Sequence, residues 1–228
     1  MKLYDRPGFP NPARIRIVIA AKSMEPAMEF VSVDLIGAEH KQPVFLLKNP
    51  MGVLPVLELD DGTLISECTA ITEYLDNFDN QPLLTGKKAK EKAVIHMMQK
   101  RAEAWVMDPV GVFFHYATPG LGEVLQAFKE PDWHARQALG LRAGEQLKAG
   151  LEYFEQLLTR QPFLTSDTFS MADITLYCGL TFADVLGFIG EEFTTLRAWI
   201  NRVAEIPCVQ QRSGQQFVYD DLKRMGLV

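Results

Sequence analysis

The sequence predicts an α/β half with the order βαβαββα over residues 1–84, followed by an all-helical half over residues 85–228. Three observations support this division. Short β-rich or alternating runs lie before residue 66, and the hairpin turn signal Asp60-Asp61-Gly62 separates the last two of them. After residue 91, apolar residues recur at helical spacing with no convincing alternation. A charged segment with a glycine break, residues 85–92, is typical of a linker between two halves.

The first half begins with a strand-like run, residues 2–5, and a loop punctuated by prolines. Asn11 is predicted to cap the helix that follows and Pro12 to be its first residue, because these residue types suit those positions. We expect several unpaired N–H groups and about half a positive charge at this helix end, which favours an anion such as a thiolate. The alternative is an ordinary capped turn. Residues 29–35 alternate and predict a second strand, parallel to the first.

The stretch from residue 49 to residue 75 combines a turn, a hairpin and a helix start. Residues 53–59 predict a strand, and residues 63–65 predict its antiparallel partner. Pro55 cannot donate to a ladder, so it requires an exposed or special edge. A cis Leu54-Pro55 bond would direct the backbone of Leu54 outward, where an extended peptide could pair with it. The alternative is an ordinary edge hairpin. With a short helix at residues 37–47, the element order is that of a thioredoxin-like layout.

In the second half, the clearest local signal is the start of a helix at Ser170. Ser170 is predicted to be the N-cap and Asp173 its acidic partner three residues on, which makes Asp173 structural. The residues that follow are almost wholly apolar, so this helix is expected to run through a helical core. Between two other predicted helices, residues 108–116 hold phenylalanines beside His115 and Tyr116.

Composition excludes several classes of function. A net charge of -6 argues against a nucleic-acid partner, because no excess of Lys and Arg is present to neutralise phosphates. The three cysteines, Cys68, Cys178 and Cys208, are too few and too far apart for a disulfide framework or a zinc site with paired ligands. No apolar run reaches the roughly 18 residues that a membrane span requires. We therefore expect no metal, no membrane contact and a cytoplasmic location.

The chain resembles glutathione S-transferases over essentially its whole length. The resemblance rests on GAEHKQPVFLLKNPMGVLPVLELDDGTLISECTAITEYL in the first half and FSMADITL in the second. It implies a glutathione site with backbone pairing to the cysteinyl part, a γ-glutamyl end at a helix start and a basic loop for the glycyl carboxylate. The implied residues are, in that order, Leu54 and Pro55, then Glu67 and Cys68, then His40 and Lys41, with Val53 lining the groove. The family usually has Ser where this chain has Cys68.

The loop before the first helix departs from the common family pattern. Many classes place Tyr, Ser or Cys there, whereas residues 8–11 are Gly-Phe-Pro-Asn and carry no hydroxyl or thiol. This loop and the segment HYATPGLG, residues 115–122, resemble an atypical fungal-type subgroup. The resemblance implies that the thiolate depends on the backbone at Asn11 and on polar groups of the helical half, directly or through water. His115 and Tyr116 are the candidates, and we select His115. His115 could instead be a packed residue, and Tyr4 could be a core tyrosine or a substitute hydroxyl. The expected second-substrate pocket comprises Phe9, Phe114 and Tyr116.

The leading functional hypothesis is an enzyme that conjugates the thiolate of glutathione to small, apolar electrophiles. Glutathione is then a co-substrate, and no cofactor is expected. The resemblance also implies a homodimer in which the first half of one subunit meets the helical half of the other. Two alternatives remain open. A glutathione-dependent reductase or peroxidase normally requires a reactive cysteine at the first helix, and residues 6–14 contain none. A non-catalytic binding or regulatory module would keep the fold without the chemistry.

Overall fold

The structure, a computed structural model, describes residues 1–118, 133–165, 167–214 and 223. It divides into two units. The first comprises Met1–Leu83 together with Pro207–Val228, and the second comprises Leu84–Ile206. The break after Leu83 lies one residue before the predicted boundary. The end of the chain, however, groups with the first unit, whereas the sequence assigned it to the helical half.

A four-stranded mixed sheet forms the centre of the first unit. Its strands are β1 (Lys2–Asp5), β2 (Glu29–Ser32), β3 (Val56–Glu58) and β4 (Leu64–Ser66), in the order β2-β1-β3-β4. Strand β1 is parallel to β2 and antiparallel to β3, and β3 is antiparallel to β4. The predicted fold class is therefore confirmed. The third strand is shorter than predicted and begins after Pro55, which has no N–H for the ladder.

The helices of the first unit are α1 (Pro10–Ala21), α2 (Pro43–Leu46) and α3 (Cys68–Asn77), with single 3-10 turns at Glu25–Ala27 and Glu39–Lys41. The predicted start of α1 is wrong by two residues. The carbonyl of Phe9 accepts the N–H of Ala13 at 2.9 Å, so Phe9 is the N-cap and Pro10 the first helical residue. The fixed φ of proline suits that position equally well at residue 10. The Asn11 side chain accepts instead a bond from Arg14 Nη1 at 3.0 Å.

The second unit is helical, as predicted. Its helices are α4 (Ala89–Ala102), α5 (Asp108–Tyr116), α6 (Gln137–Leu158), α7 (Met171–Val185) and α8 (Thr194–Ala204), with a 3-10 turn at Trp133–Arg136. The short helix α9 (Pro207–Gln210) follows in the first unit. Residues 119–122 of the HYATPGLG segment lie outside the described residues. No helix within the described ranges is both long and apolar enough to cross a bilayer.

A single π-helical turn, Glu103–Met107, joins α4 to α5. The wider turn leaves backbone carbonyls without ordinary helical partners, and a neighbouring helix meets them. Gln146 Nε2 donates to the Ala104 carbonyl at 3.0 Å. The Trp105 carbonyl lies against Gly150, where a Cβ would overlap the oxygen. The π-turn therefore requires a glycine at this point of α6.

The predicted capping box at the start of α7 is confirmed. Asp173 accepts the Ser170 N–H at 3.0 Å, the Ser170 hydroxyl at 2.8 Å and the Leu164 N–H at 2.8 Å. Burial raises the pKa of the Asp173 carboxyl to about 6. The two bonds from Ser170 cap the helix, and the third holds the preceding segment at Leu164, which supports a structural role.

Candidate functional site

One end of the sheet gathers most of the residues predicted for the site. Val56, the first residue of β3, pairs with Tyr4 of β1 and with Ser66 of β4. Because both pairings are antiparallel, β3 begins at the end of the sheet where β1 and β4 finish. Pro55, which precedes β3, therefore lies across from Glu67, which follows β4. On its other side it lies across from Asp5, which ends β1 and leads into the loop before α1. The register alone brings three separate chain segments to one edge.

The Leu54-Pro55 peptide bond is cis, as the sequence suggested. The Leu54 side chain is buried beside Val33, Phe45 and Val56. Among the described residues, none hydrogen-bonds to the backbone N–H or carbonyl of Leu54. An N–H and a carbonyl that are left unpaired on one residue at the end of the sheet are groups to which an extended peptide can bind.

Asn49 is a site residue that the sequence reasoning missed. It is buried, its Nδ2 donates to the Val53 carbonyl at 3.0 Å, and its Oδ1 accepts the Met51 N–H at 3.1 Å. These bonds fix the turn that leads to Leu54, while the Val53 side chain stays 43% exposed. The Asn-Pro-Met-Gly sequence signals a turn, which could have identified this role.

Glu67 connects β4 to α3 with a backbone that L residues rarely adopt, at φ 68° and ψ 119°. Such a conformation costs on the order of 1–3 kcal/mol and is found mostly at functional sites. The Glu67 carbonyl accepts the Ile71 N–H at 3.0 Å. Its side chain is exposed and pairs with none of the described residues. A free carboxylate therefore stands at the start of α3, where it can receive a cationic group.

Cys68 brings α3 and α1 together. Its thiol is buried and donates to the backbone carbonyl of Asn11 across 3.5 Å. The two residues are 57 positions apart in the chain. The sequence predicts that Cys68 binds the γ-glutamyl group of glutathione and that Asn11 lies at its thiol. These two predicted site residues are thus in direct contact.

The first turn of α1 offers fewer donors than the sequence suggested. Pro10 and Pro12 have no N–H, and the N–H of Ala13 is already bonded to the Phe9 carbonyl. Within the described residues, the N–H of Asn11 is therefore the one first-turn donor with no partner. Phe9 itself is half-buried. An anion at this helix end would depend on a single backbone N–H and on the helix dipole.

The 3-10 turn Glu39–Lys41 is tied to the segment that leads to Leu54. Lys41 Nζ donates to the carbonyls of Gly52 at 2.7 Å and Met51 at 3.4 Å, and burial lowers the pKa of its ammonium. Burial, aided by the Lys41 charge, lowers the pKa of His40 to about 4. The buried Nδ1 of His40 has no hydrogen-bond partner among the described residues. At neutral pH, Lys41 supplies the positive charge of this pair, and His40 is a neutral imidazole.

The helical unit presents three of the predicted residues on the last turn of α5. Phe114 is buried against Phe182, with ring centroids 5.0 Å apart, and His115 is exposed. The Tyr116 hydroxyl accepts a bond from Arg136 Nη1 at 3.1 Å. A second aromatic pair lies nearby in sequence, because Phe113 meets Phe188 edge to face at 4.7 Å. This part of the unit is thus rich in partly exposed aromatic surface, beside an imidazole that is open to solvent.

Tyr4 is engaged within the sheet. Its hydroxyl donates to Glu58 Oε2 at 2.7 Å, and Lys48 Nζ lies 4.5 Å from the centre of its ring.

Over the part of the chain that the structure describes, no group of three or more His, Cys, Asp or Glu side chains is arranged to hold a metal ion.

Comparison with known proteins gives a consistent result. Residues 1–77 match the family description "Glutathione S-transferase, N-terminal domain", and residues 131–202 match "Glutathione S-transferase, C-terminal domain". Glutathione S-transferase 2 of Saccharomyces cerevisiae is 49% identical over 212 residues, which are 92% of this chain and 88% of the relative. The crystal structure of Gtt2 from the same yeast is similar with a TM-score of 0.84 and 49% identity, covering 92% of this chain and 99% of that one. A glutathione S-transferase domain-containing protein from Marinobacter aquaeolei gives a TM-score of 0.82 and 46% identity, covering 92% and 100%.

Proposed function

Since this chain belongs to the glutathione S-transferase family and is a glutathione transferase, we propose that it conjugates the thiolate of glutathione to small, apolar electrophiles. The observation that best supports the site is the contact of 3.5 Å between Cys68 Sγ and the Asn11 carbonyl. It joins the helix start proposed for the γ-glutamyl end to the helix start proposed for the thiol. Glutathione serves as the co-substrate, and the proposal needs no other cofactor.

In the proposed complex, glutathione lies extended across the end of the sheet at which β3 begins. The unpaired backbone of Leu54, before Pro55, pairs with the cysteinyl part. The α-ammonium of the γ-glutamyl group binds the carboxylate of Glu67. The α-carboxylate of the same γ-glutamyl group lies at the start of α3, beside Cys68. At the other end, Lys41 attracts the glycyl carboxylate. An ammonium has three N–H groups, so its bonds to Gly52 and Met51 leave one for the ligand.

Two neutral groups complete the proposed binding site. His40 contributes as a hydrogen-bonding imidazole and not as a cation, because its pKa lies far below neutrality. Val53 lines the groove with its exposed side chain while Asn49 holds its carbonyl. The Asn49 contact supports a rigid approach to Leu54.

Activation of the thiol is the most demanding part of the proposal. A free thiol has a pKa of about 8.5, and lowering it by two units requires about 2.7 kcal/mol of preferential thiolate stabilisation. The Asn11 N–H, as a hydrogen bond to a charged group, contributes about 1.5–3 kcal/mol, and the helix dipole adds about 0.3–1 kcal/mol. His115 is the residue of the helical unit that the sequence predicts to assist, as a proton acceptor or by orienting a water, and its ring is exposed.

The preference for apolar electrophiles rests on the aromatic residues of the helical unit. Phe114 and Tyr116 line the proposed second-substrate pocket, with the rings of Phe113, Phe182 and Phe188 close to them in the same unit. Aromatic surface with few polar groups is typical of pockets for small apolar ligands. Phe9 is the contribution that the sequence predicts from the first unit. Detoxification of such electrophiles is the corresponding biological role.

A homodimer and a cytoplasmic location belong to the same proposal. Three apolar side chains of the first unit that are close in sequence, Val44, Leu47 and Met51, are 75%, 86% and 69% exposed. Apolar side chains that are exposed together favour a protein interface. We assign the location from the three cysteines, none of which forms a disulfide with another, as expected in a reducing compartment.

The test combines steady-state assays against a panel of electrophiles with calorimetric measurement of glutathione affinity. Conjugation of aryl and alkyl electrophiles, with turnover rising with their apolar character, is the expected result. Turnover of disulfides or peroxides alone would favour a reductase or peroxidase. Binding of glutathione without turnover of any compound would favour the non-catalytic module and overturn the proposal.

A further inference from the structure

We infer that the segment of residues 207–214, which follows the helical unit in the chain, positions the loop before α1 and so helps to set the pKa of the bound thiol. The inference rests on the proposed function, which places the thiolate at the N–H of Asn11. Residues 207–214 belong to the first unit, although the preceding helices belong to the second. Neither Ser213 nor Gly214 is a predicted site residue, so each acts here as a positioning residue.

A buried ion pair joins Asp5 to Arg16. Arg16 Nε donates to Asp5 Oδ2 at 2.6 Å, and Nη2 donates to Oδ1 at 3.0 Å. Asp5 is the last residue of β1 and leads directly into the loop, while Arg16 lies on α1. This two-pronged pair holds the start of the loop against the helix that follows it.

Ser213, in the segment of residues 207–214, contacts the same arginine. Arg16 Nη1 donates to the Ser213 hydroxyl at 2.8 Å. The Ser213 N–H donates to Glu25 Oε1 at 3.2 Å, just beyond the end of α1. The guanidinium also lies 4.1 Å from the centre of the Phe30 ring. Arg16 is thus held by Asp5, Phe30 and Ser213, and the returning segment fixes its third side.

Gly214 lies directly against the loop before α1. Gly214 has φ +84°, and a Cβ added there would lie 2.9 Å from the Pro7 Cβ and 2.9 Å from Arg16 Nη1. Pro7 is a buried residue of the loop. Asp5 therefore holds the loop at its start, and Gly214 supports it two residues later. The loop that delivers Phe9 and the Asn11 N–H has little freedom to move.

This support matters because, within the described ranges, the first turn of α1 has a single N–H without a hydrogen-bond partner. Where several donors converge on an anion, one can move without loss of the others. Here the whole backbone contribution depends on the place of Asn11. Stabilisation by a fixed donor requires that donor to be in position before the charge forms.

The test compares two glycine substitutions that differ in their surroundings. Gly214→Ala and Gly62→Ala place Ala at nearly the same φ, +84° and +85°, but a Cβ at Gly62 meets nothing within 4 Å. Both variants therefore carry backbone strain, and only Gly214→Ala pushes on Pro7 and Arg16. Ser213→Ala is a milder second variant, and Ser213→Thr keeps the hydroxyl.

Two quantities are measured in each full-length variant: the pH midpoint of thiolate absorbance for bound glutathione, and the hydrogen exchange of the Phe9 and Ala13 amides. In Gly214→Ala we expect the midpoint to rise by about half a unit, as befits loss of most of a helix-end contribution. The amides should exchange faster. Ser213→Ala should show smaller changes of the same sign, while Gly62→Ala and Ser213→Thr should match the wild type.

Unchanged exchange in both Gly214→Ala and Ser213→Ala would overturn the inference, because the loop would then not depend on the segment. Faster exchange with an unchanged midpoint would overturn the positioning role while leaving the proposed glutathione site intact. If the wild type forms no thiolate with bound glutathione, the proposed function fails at activation, and the inference fails with it. In that case the exchange data would still report the mechanical contact separately.

Discussion

The strained backbone conformation of Glu67 lowers the stability of the first unit. We expect the role of Glu67 in binding glutathione to explain why this conformation is kept. Its positive φ is costly for any residue with a Cβ, whereas glycine adopts it readily. Glu67→Gly should relieve strain on the order of 1–3 kcal/mol and lose up to about 1 kcal/mol through the freer unfolded chain. The variant should therefore unfold at an equal or higher urea concentration than the wild type. It should also bind glutathione roughly tenfold more weakly in calorimetry, because a charged contact is lost.

A suitable control for Glu67→Gly is Ser23→Gly, another positive-φ position, at 53°, on an exposed turn. It should change stability in the same direction and leave glutathione affinity unchanged. Unaltered affinity in Glu67→Gly would remove Glu67 from the proposed site.

His40 leads to a pH prediction whose sign follows from its lowered pKa. The folded protein holds this imidazole neutral down to about pH 4, while the unfolded chain takes up the proton near pH 6.5. Its contribution to stability is therefore fully present above pH 6.5 and is lost as the pH falls towards 4. His40→Gln lacks this contribution, so it should lose less stability than the wild type between pH 7 and pH 5. Urea unfolding at the two pH values measures the difference.

Gln42→Asn, at an exposed position next to the same turn and without a titratable group, provides the comparison for that experiment and should follow the pH dependence of the wild type. If His40→Gln follows it as well, the imidazole titrates alike in the folded and unfolded states, and the neutral role proposed for His40 is wrong.

At the scale of single residues, sequence could place the site but not describe its chemistry. The cis bond at Pro55 follows from a local pattern, so it could be predicted. The neutrality of His40 could not, because it results mainly from the burial of the imidazole in the folded chain. The cap of α1 was misplaced because Phe9-Pro10 and Asn11-Pro12 both satisfy the preference for proline at a helix start. Local rules alone could not decide between them.

Among the elements, the first turn of α1 is where an added donor should show most clearly. Pro10→Ala supplies an N–H that the wild type lacks, next to that of Asn11. If this helix end stabilises the thiolate, the pKa of the thiol of bound glutathione should fall by a few tenths of a unit. Titration of the thiolate absorbance measures this shift. Pro26→Ala, in an exposed 3-10 turn of the same unit, should cause no shift. A shift of equal size in both variants would show that the helix end is not responsible.

The elements themselves could be predicted almost completely, because hydrophobic period and turn residues are local properties. Asp60-Asp61-Gly62 forms the predicted turn, with Gly62 at φ 85°. Ser170 and Asp173 form the predicted capping box. The strand before β4 was predicted too long, since the β-rich run includes Pro55, which ladder geometry excludes.

At the scale of the whole molecule, the proposed homodimer depends on apolar side chains with no cover in the described chain. Leu47→Asp places a charge at the most exposed of them, and burying an unpaired charge in an interface is costly. We expect this variant to sediment as a monomer at micromolar concentration, where the wild type is a dimer. Val185→Asp, at a position that is 67% exposed in the helical unit, serves as the matched control and should remain dimeric. Dissociation of neither variant would mean that this surface is not the interface.

The return of the chain to the first unit could not be predicted from sequence. Residues 207–214 contain no periodic apolar pattern beyond a single short turn, and their partners, Glu25 and Arg16, are almost 200 positions away. Hydrogen bonds between such distant residues leave no local signal. The fold class, by contrast, a thioredoxin-like half followed by a helical half, follows from composition and period, and it is confirmed.

The π-turn between α4 and α5 has a meaning for the history of the chain. Buried positions recur every fourth residue at Met98, Ala102, Val106, Val110 and Phe114. In a straight α-helix that spacing would drift by about 40° at each step, and the wider turn corrects the drift by holding one additional residue. Such a turn is what remains when a helix absorbs a one-residue insertion without rotating its far end. A relative that is one residue shorter here should have an unbroken α-helix, and only in that relative is the position of Gly150 free to vary.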